Sequence, residues 1–306
     1  MGAQLRVYRR RIKSVQATKK ITKAMELIAS SRIVKAQQRV DASLPYTLEL
    51  LRAISSAVSH GNSKHPLITT PEVRKRAAVI FVTADRGLAG AYSSAVIKET
   101  EALNNLLKEE GVEPVHFIIG RKGLGFYKFR ERPIAASWTA FTDQPTYENA
   151  QEIAQAVLEQ FAKKPEEGGV DEIHLVYTHF INMGVQEVRV RRILPVEILE
   201  VSQEQASEKL ETTVFPLYDF EPSPEAVLEA LLPRFVENVV YTALLLSAAS
   251  EHAARRRAMK SASDNAEELI RTLARRANQA RQAEITQEIS EIVGGADALA
   301  SATSGS

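Results

Sequence analysis

Two long runs without glycine or proline, one toward each end of the chain, constrain its fold most. Neither residue occurs from Ala3 to Leu44 or from Arg234 to Val293, and both runs are rich in Ala, Leu, Lys, Arg, Glu and Gln. These residues lose little free energy on entering a helix. At about 1.5 Å per residue, the two helices would be roughly 60 and 90 Å long. A domain of ordinary radius cannot cover such helices, so they must pack against each other, against partner subunits, or both.

The first helix begins near Ala3 and either ends at Pro45 or continues past it to Val58. Its apolar face is interrupted by a gap of six residues, which predicts a local departure from heptad packing. Lys19 and Thr22 stand where a tight coiled coil would have apolar groups. The apolar face consists of Leu5, Tyr8, Ile12, Val15, Ile21, Met25 and Ile28.

The last helix begins near Ser223, a good N-cap that is followed by Pro224. It either breaks at Pro233 or runs on to Gly294 and Gly295, which predict a C-terminal stop. Toward its end the helix is slim and largely polar, which suits weak contacts with several surfaces in turn. Its narrow apolar stripe there consists of Ile285, Ile289 and Ile292.

Strand and helix patterns alternate over residues 72–219. Residues 77–84 are almost entirely apolar, as in a buried strand, and the turn over 85–90 leads into a helix over about 92–110. This order is typical of an α/β domain with a largely parallel sheet. Further strands are predicted over 115–119, 173–180, 186–198 and 214–218, with a helix over 147–162 and a loop over 163–170.

Charge and cysteine content narrow the possible classes. The absence of cysteine excludes disulfides, thiolate metal sites and cysteine nucleophiles, and it fits a cytosolic protein. No uncharged apolar run approaches the ~18 residues of a membrane span, and no signal peptide is predicted. The first forty residues contain eleven Lys and Arg against Glu26 alone, so they carry +10. The rest must then carry −9, because the net charge is +1.

No catalytic, cofactor-binding or metal site is predicted. The turn over 85–90 contains Gly87 and Gly90, but it matches neither a P-loop nor a dinucleotide-binding pattern. The six histidines are scattered. His174 and His179 are five positions apart on one predicted strand, which directs them to opposite faces of the sheet.

Two other classes stay open on these observations. The basic first helix could bind nucleic acid, with an affinity that falls steeply with salt, or lie on an anionic membrane. However, its cations surround the helix, and Tyr8 is the only aromatic residue among the first forty. An enzyme built on the α/β domain would instead bind a nucleotide or substrate at the turn over 85–90.

Three stretches of the terminal helices carry a specific pattern. They read Lys20-Ile-Thr-Lys-Ala-Met-Glu-Leu-Ile-Ala29, Ala258-Met-Lys-Ser-Ala-Ser-Asp-Asn265 and Arg281-Gln-Ala-Glu-Ile-Thr-Gln-Glu-Ile-Ser-Glu-Ile-Val-Gly-Gly295. The turn Asp85-Arg-Gly-Leu-Ala-Gly90 adds a fourth match. Over residues 2–299 the chain therefore resembles the gamma subunits of the bacterial F-type ATP synthase, the central rotor stalk.

The resemblance implies an antiparallel coiled coil of the N- and C-terminal helices with an inserted Rossmann-like α/β domain. The corresponding parts would be 1–60, 72–219 and 223–300, with a flexible tail over 301–306. It also implies a non-catalytic subunit, without cofactor or metal, that couples proton-driven rotation of a membrane ring to the conformations of catalytic beta subunits. Through this coupling it would be required for ATP synthesis and would regulate ATPase activity and proton flow.

The implied partners are a ring of alpha and beta subunits, the epsilon subunit and the membrane c-ring, with one copy of the chain per complex. Nucleic acid and a membrane span of its own are not implied. The implied location is the cytoplasmic face of the bacterial cell membrane, as a peripheral protein.

The resemblance also assigns contact residues. Those implied to touch the catch loops of beta are Arg281, Gln282, Thr286 and Glu288. Met25, with its neighbours Lys23 and Glu26, matches a position near the lower hinge of beta, and Arg255 matches a position linked to coupling. Tyr218 and Glu221 match the foot, which would touch epsilon and the membrane ring.

Overall fold

The computed structural model describes residues 2–60, 68, 74–164, 167–196, 220–221 and 223–303. In this part of the chain two long helices flank a mixed α/β region, which confirms the predicted fold class. The helices are α1 (Gly2–His60), α2 (Tyr92–Glu109), α3 (Arg121–Phe129), α4 (Tyr147–Ala162) and α5 (Pro224–Thr303); the strands are β1 (Arg76–Val82), β2 (Glu113–Ile119), β3 (Ala136–Trp138), β4 (Glu172–Phe180) and β5 (Gln186–Leu194).

The five strands form one sheet in the order β3-β2-β1-β4-β5. The first four are parallel, and β5 pairs antiparallel with β4 at the edge. Strand order changes direction at β1, because the chain moves outward from β1 to β3 and then returns to β4 on the other side. This change makes the crevice at the carboxyl ends of β1 and β4 the usual ligand site of such folds.

Both faces of the sheet are buried, and alternate residues of β1 supply the two cores. On one face Val79 and Phe81 pack with Val96 of α2 and Tyr127 of α3. On the other face Ile80 and its even-numbered neighbours pack with α4 and with the ends of α1 and α5 that adjoin the domain. A strand that is buried on both faces reads as a continuous apolar run, which is why the sequence predicted β1 well.

The chain forms two compact units, and the division lies inside both long helices. One unit comprises residues 1–28 and 256–306, and the other comprises residues 29–255. The second unit therefore contains the α/β domain together with residues 29–60 of α1 and the first part of α5.

The predicted departure from the heptad in α1 was wrong. Ile21 and Ile28 are 61% and 55% exposed, whereas Thr22 and Glu26 are buried. The heptad continues without a gap because polar side chains occupy the positions that apolar ones were expected to fill. The residues at heptad spacing that are buried or half-buried are 5, 8, 12, 15, 19, 22, 26, 29, 33, 36, 40, 43, 47, 50, 54 and 57.

Neither proline ends its helix. Pro45 lies inside α1 and Pro233 lies inside α5. A proline within a helix costs about 3 kcal/mol, and apolar burial on both sides outweighs this cost: Leu50 and Ile54 follow Pro45 into the core, as Phe235 follows Pro233.

The predicted stop at Gly294 and Gly295 was also wrong, since α5 continues to Thr303. Within the domain, the prediction missed α3 and the three-residue strand β3. The predicted strand over 214–218 lies outside the described residues.

Candidate functional site

Polar contacts set the register of α1 and α5 within the unit formed by residues 1–28 and 256–306. The Oγ atoms of Thr22 and Ser263 form a buried hydrogen bond of 2.6 Å, and Lys19 Nζ lies 3.2 Å from Glu267 Oε2. From the first pair to the second, the residue number decreases on α1 and increases on α5, so the two helices are antiparallel, as predicted. Polar pairs in a coiled-coil seam fix register at some cost in stability.

The three predicted contact residues near the middle of α1 have different exposures. Lys23 has 57% of its side chain exposed and pairs with Glu26 on its own helix at 3.0 Å. Glu26 is buried in the seam, and Met25 is half-buried. Lys23 is therefore the residue of this group that presents most surface to a partner.

The last part of α5 extends beyond the helix that it pairs with. Eighteen residues separate Thr22 from Gln4, and the same count along α5 leads from Ser263 to Arg281. From Ile285 to Gly294 every residue is exposed. This segment contains two of the four residues predicted to contact the catch loops, Thr286 and Glu288, and the other two, Arg281 and Gln282, lie shortly before it.

The predicted contact residues and the apolar residues near the end of α5 share one face. At about 100° per residue, the residues of this face fall within an arc of roughly 160°. Leu273, which is buried in the seam, lies about 140° around α5 from the centre of this face, and the buried Ala277 lies just outside its edge. The face consists of Arg281, Gln282, Ile285, Thr286, Glu288, Ile289, Ile292 and Val293, and its four apolar members are 46%, 55%, 71% and 54% exposed in sequence order.

Arg255 lies in a different environment from the other predicted contact residues. It is 8% exposed, and Nη2 donates to Glu251 Oε1 at 2.6 Å. The same guanidinium reaches the carbonyl oxygens of Arg86 and Gly87 at 3.5 and 3.4 Å. Its side chain thus joins α5 to the turn over 85–90 inside the unit of residues 29–255.

The crevice at the carboxyl ends of β1 and β4 is filled by α5. Ser250 Oγ donates to the Thr178 carbonyl at 3.1 Å, and Thr178 N donates to Ser247 Oγ at 3.4 Å. Ala254 packs on the small cluster that surrounds Tyr92. The place where a doubly wound domain would bind a nucleotide therefore holds the chain's own helix, which argues against the enzyme alternative.

Burial shapes the ionisation of the groups around this crevice. Burial raises the pKa of Glu251, although the Arg255 guanidinium opposes the shift. Burial lowers the pKa of His252 to about 4, so its ring is neutral at pH 7. Burial also opposes ionisation of Asp85, but backbone N–H donors that include those of Ala140 and Thr142 lower its pKa.

Of the two predicted foot residues, Glu221 is exposed and Tyr218 lies outside the described residues. The described residues contain no group of three or more His, Cys, Asp or Glu placed to hold a metal ion. In the same part of the chain, one helix, α5 over Pro224–Gly294, is long and apolar enough in one window to span a membrane. The window is 56% buried within the protein, as in the core helix of a water-soluble fold.

These features define a class: an antiparallel coiled coil with an inserted doubly wound domain whose ligand crevice is closed by its own helix. The family model described as ATP synthase matches residues 4–299. The chain belongs to the family of ATP synthase gamma chains, which form the central stalk of the F-type ATP synthase. It is 59% identical over 299 residues to the ATP synthase gamma chain of Acidothermus cellulolyticus, covering 98% of each chain. It is 58% identical over 306 residues to that of Thermobifida fusca, covering 100% of each.

Solved structures agree with this assignment. A chain of the Tetrahymena thermophila mitochondrial ATP synthase central stalk and c-ring superposes with a TM-score of 0.58 at 25% identity, covering 79% of this chain and 99% of that one. A chain of the Euglena gracilis mitochondrial ATP synthase, in a structure of OSCP, F1 and c-ring, gives a TM-score of 0.65. It covers 98% of this chain and 95% of that one at 18% identity, and so supports the fold alone.

Several residues that join the domain to the long helices were not singled out from the sequence. Thr142, Asp143 and Glu251 are buried or nearly so and bridge segments more than 100 positions apart. The usable signal was polarity at buried positions: Glu251 lies within the alanine- and leucine-rich run over 243–254, where a lone carboxylate requires a partner.

Proposed function

We propose that this chain is the rotating shaft of an F-type ATP synthase and carries no catalytic site itself. Rotation of the membrane ring by proton flow turns the shaft, and the shaft's asymmetric surface favours a different conformation of each beta subunit at each angle. The chain is then required for ATP synthesis, and its contacts regulate ATPase activity and proton flow. The observation that carries the proposal is the exposed face at the end of α5.

That face has the chemistry of a contact that forms and breaks. Its isoleucines supply apolar area, but they are separated by Gln282, Thr286 and Glu288, so no broad apolar core forms. Arg281 adds a fixed positive charge at its edge. Such a mixture suits association with a ring that must release the helix at every step. Lys23 offers a second, basic contact farther along the coiled coil.

The proposed partners follow from this role. The ring of alpha and beta subunits surrounds the coiled coil, one copy of the chain serves each complex, and Tyr218 and Glu221 contact epsilon and the membrane c-ring. The assembled protein lies on the cytoplasmic face of the bacterial membrane. Its attachment there depends on the c-ring, because α5 packs its most apolar stretch within its own fold.

Reconstitution tests the proposal directly. The chain is mixed with alpha and beta subunits, the complex is isolated, and ATP hydrolysis is measured with and without Arg281→Ala combined with Gln282→Ala. We expect a complex with one copy of the chain, whose turnover the double change lowers about tenfold, since loss of two polar contacts at an interface costs roughly 1–3 kcal/mol.

The matched control changes the other side of the same helix segment. Gln287 Nε2 donates to Glu291 Oε1 at 2.9 Å, and both residues are exposed opposite the proposed face. Gln287→Ala combined with Glu291→Ala should leave turnover nearly unchanged. Equal losses in the two double variants would remove the case for a specific face. Failure of the unmodified chain to enter the ring would refute the shaft role.

A further inference from the structure

One short loop of the α/β domain contacts both long helices. Residues 140–145, the clamp loop, follow β3. Asp143 Oδ2 accepts a hydrogen bond from Arg32 Nη1 of α1 at 2.7 Å. The Asp143 carbonyl lies 3.0 Å from His252 Nε2 of α5, and Thr142 Oγ1 lies 3.3 Å from Glu251 Oε2 of α5. Two neighbouring residues thus tie both helices to the domain.

The clamp loop is itself fixed to the centre of the sheet. Asp85, which follows β1, donates its N–H to Thr142 Oγ1 at 2.9 Å and accepts the Thr142 N–H at Oδ2 at 3.0 Å. The Thr142 hydroxyl therefore accepts from Asp85 and donates to Glu251. Ala140 has φ +78°, a conformation that a residue with a Cβ keeps only where its surroundings fix it.

We propose that the clamp loop passes torque between the α/β domain and the two long helices, with Thr142 and Asp143 as positioning residues. The proposal rests on the shaft function proposed above. A rotor must turn both helices together, and a junction that grips only one would let the other lag. The clamp loop holds both helices through polar contacts. Two of these involve a carboxylate, Asp143 with Arg32 and Thr142 with Glu251, and charge-assisted hydrogen bonds are about twice as strong as neutral ones.

Rotation under load tests this inference. The complete ATP synthase carries a probe on a single cysteine, Lys108→Cys, which is unique on this chain because the chain has no other cysteine. Lys108 is exposed at the end of α2. Rotation driven by ATP is followed at low and at high viscous drag for Thr142→Val and Asp143→Asn.

We expect both variants to match the wild-type speed at low drag and, at high drag, to turn severalfold more slowly than the wild type or to slip. Loss of one charge-assisted hydrogen bond should raise about tenfold the fraction of molecules in which the clamp loop is detached from a helix. Only a rotor under load would reveal this detachment. A contact that served the fold alone would leave the ratio of variant speed to wild-type speed the same at low and at high drag. Two domain variants serve as controls: Thr100→Val removes an equally buried hydroxyl that bonds within α2, and Asp171→Asn removes a carboxylate that accepts from Lys75 N and Arg76 N.

A charge exchange provides a second test if Thr142→Val fails to assemble. Asp143→Arg should rotate poorly at high drag, and addition of Arg32→Asp should restore at least part of the speed. Rescue would support the clamp; the same speed in the single and double variants would overturn it. If the wild type rotates normally and every variant matches its speed at high drag, the clamp proposal is refuted but the shaft function is not. A wild-type complex that does not rotate would refute the shaft function itself.

Discussion

A disulfide across the coiled-coil seam tests both the register and the rigidity of the shaft. Thr22 and Ser263 face each other with their Oγ atoms 2.6 Å apart. A disulfide requires its two sulfur atoms to lie about 2.0 Å apart and its two Cβ atoms about 3.8 Å apart. The double variant Thr22→Cys and Ser263→Cys should therefore close a disulfide without moving the backbone appreciably. It would be the one disulfide possible, because the chain has no other cysteine.

The expected gain in stability follows from the size of the closed loop. The two residues are 241 positions apart, for which the chain-entropy relation gives about 5.5 kcal/mol at 25 °C. The substitution also removes a hydrogen bond worth about 1 kcal/mol. The free energy of unfolding of the oxidised variant should thus exceed that of its reduced form by about 5.5 kcal/mol and that of the wild type by about 4.5 kcal/mol, as upper values.

Two assays measure these effects. Non-reducing electrophoresis reports closure as faster migration of the monomer, and urea unfolding of the full chain, oxidised against reduced, reports the free energy. Lys20→Cys with Ser263→Cys is the control, since residue 20 lies on the exposed side of α1 and should give no disulfide within the chain. Closure in the control but not in the variant would refute the register.

Activity provides the second readout of the same variant. If the coiled coil turns as one body, the oxidised complex should keep the ATPase rate of the reduced complex. A reversible loss of turnover on oxidation would show that α1 and α5 move relative to each other during the cycle, which contradicts a rigid shaft.

Three further predictions concern the domain and the helix end. Gly120 has φ +95°, and a Cβ there would overlap the Thr83 carbonyl, so Gly120→Ala should lower the free energy of unfolding by about 3 kcal/mol or more, measurable by urea titration. Burial lowers the pKa of His252 to about 4, so between pH 6.5 and 4 the unfolded state binds more protons than the folded state, and stability falls as the pH falls through this window. The substitution His252→Gln should remove about 3 kcal/mol of this loss of stability. The measurement is the unfolding midpoint plotted against pH, which should be flatter for the variant than for the wild type. Ile289 is 55% exposed, so Ile289→Ser should change the stability of the free chain by less than about 0.5 kcal/mol yet weaken its retention in the complex, measured by subunit release on dilution.

The elements that the sequence predicted well are those whose signal is local. The long helices followed from glycine-free and proline-free runs, and α4 was predicted over the observed Tyr147–Ala162. Missed elements carried conflicting signals: α3 contains Gly123 and Gly125, which lower helix propensity, yet a Cβ at position 123 would come 2.7 Å from Phe81 Cε2. Glycine stands there because the helix packs closely on the sheet, and this requirement is visible only in three dimensions.

The gap in the apolar face of α1 was misread for a related reason. A search for apolar residues selects Ile21 and Ile28, whereas the heptad spacing itself, continued from Val15, selects Lys19 and Thr22. Spacing was the better guide, because Thr22 finds Ser263 across the seam. The candidate contact residues could be assigned through the family motifs, but the burial of Arg255 depends on long-range contacts that no local pattern contains.

The three environments along α5 explain how one helix can join parts with different tasks. Over residues 228–255 most side chains are buried, over 256–284 the buried positions follow the heptad spacing, and over 285–294 all side chains are exposed. Composition changes in step, from Leu, Val and Ala, through mixed residues, to Gln, Glu and Ile. The backbone is helical throughout, so in the proposed shaft a turn applied where the clamp loop holds Glu251 and His252 would be carried along one continuous helix. The face that contains Arg281 would then sweep past each beta subunit in turn, which is the coupling that the shaft role requires.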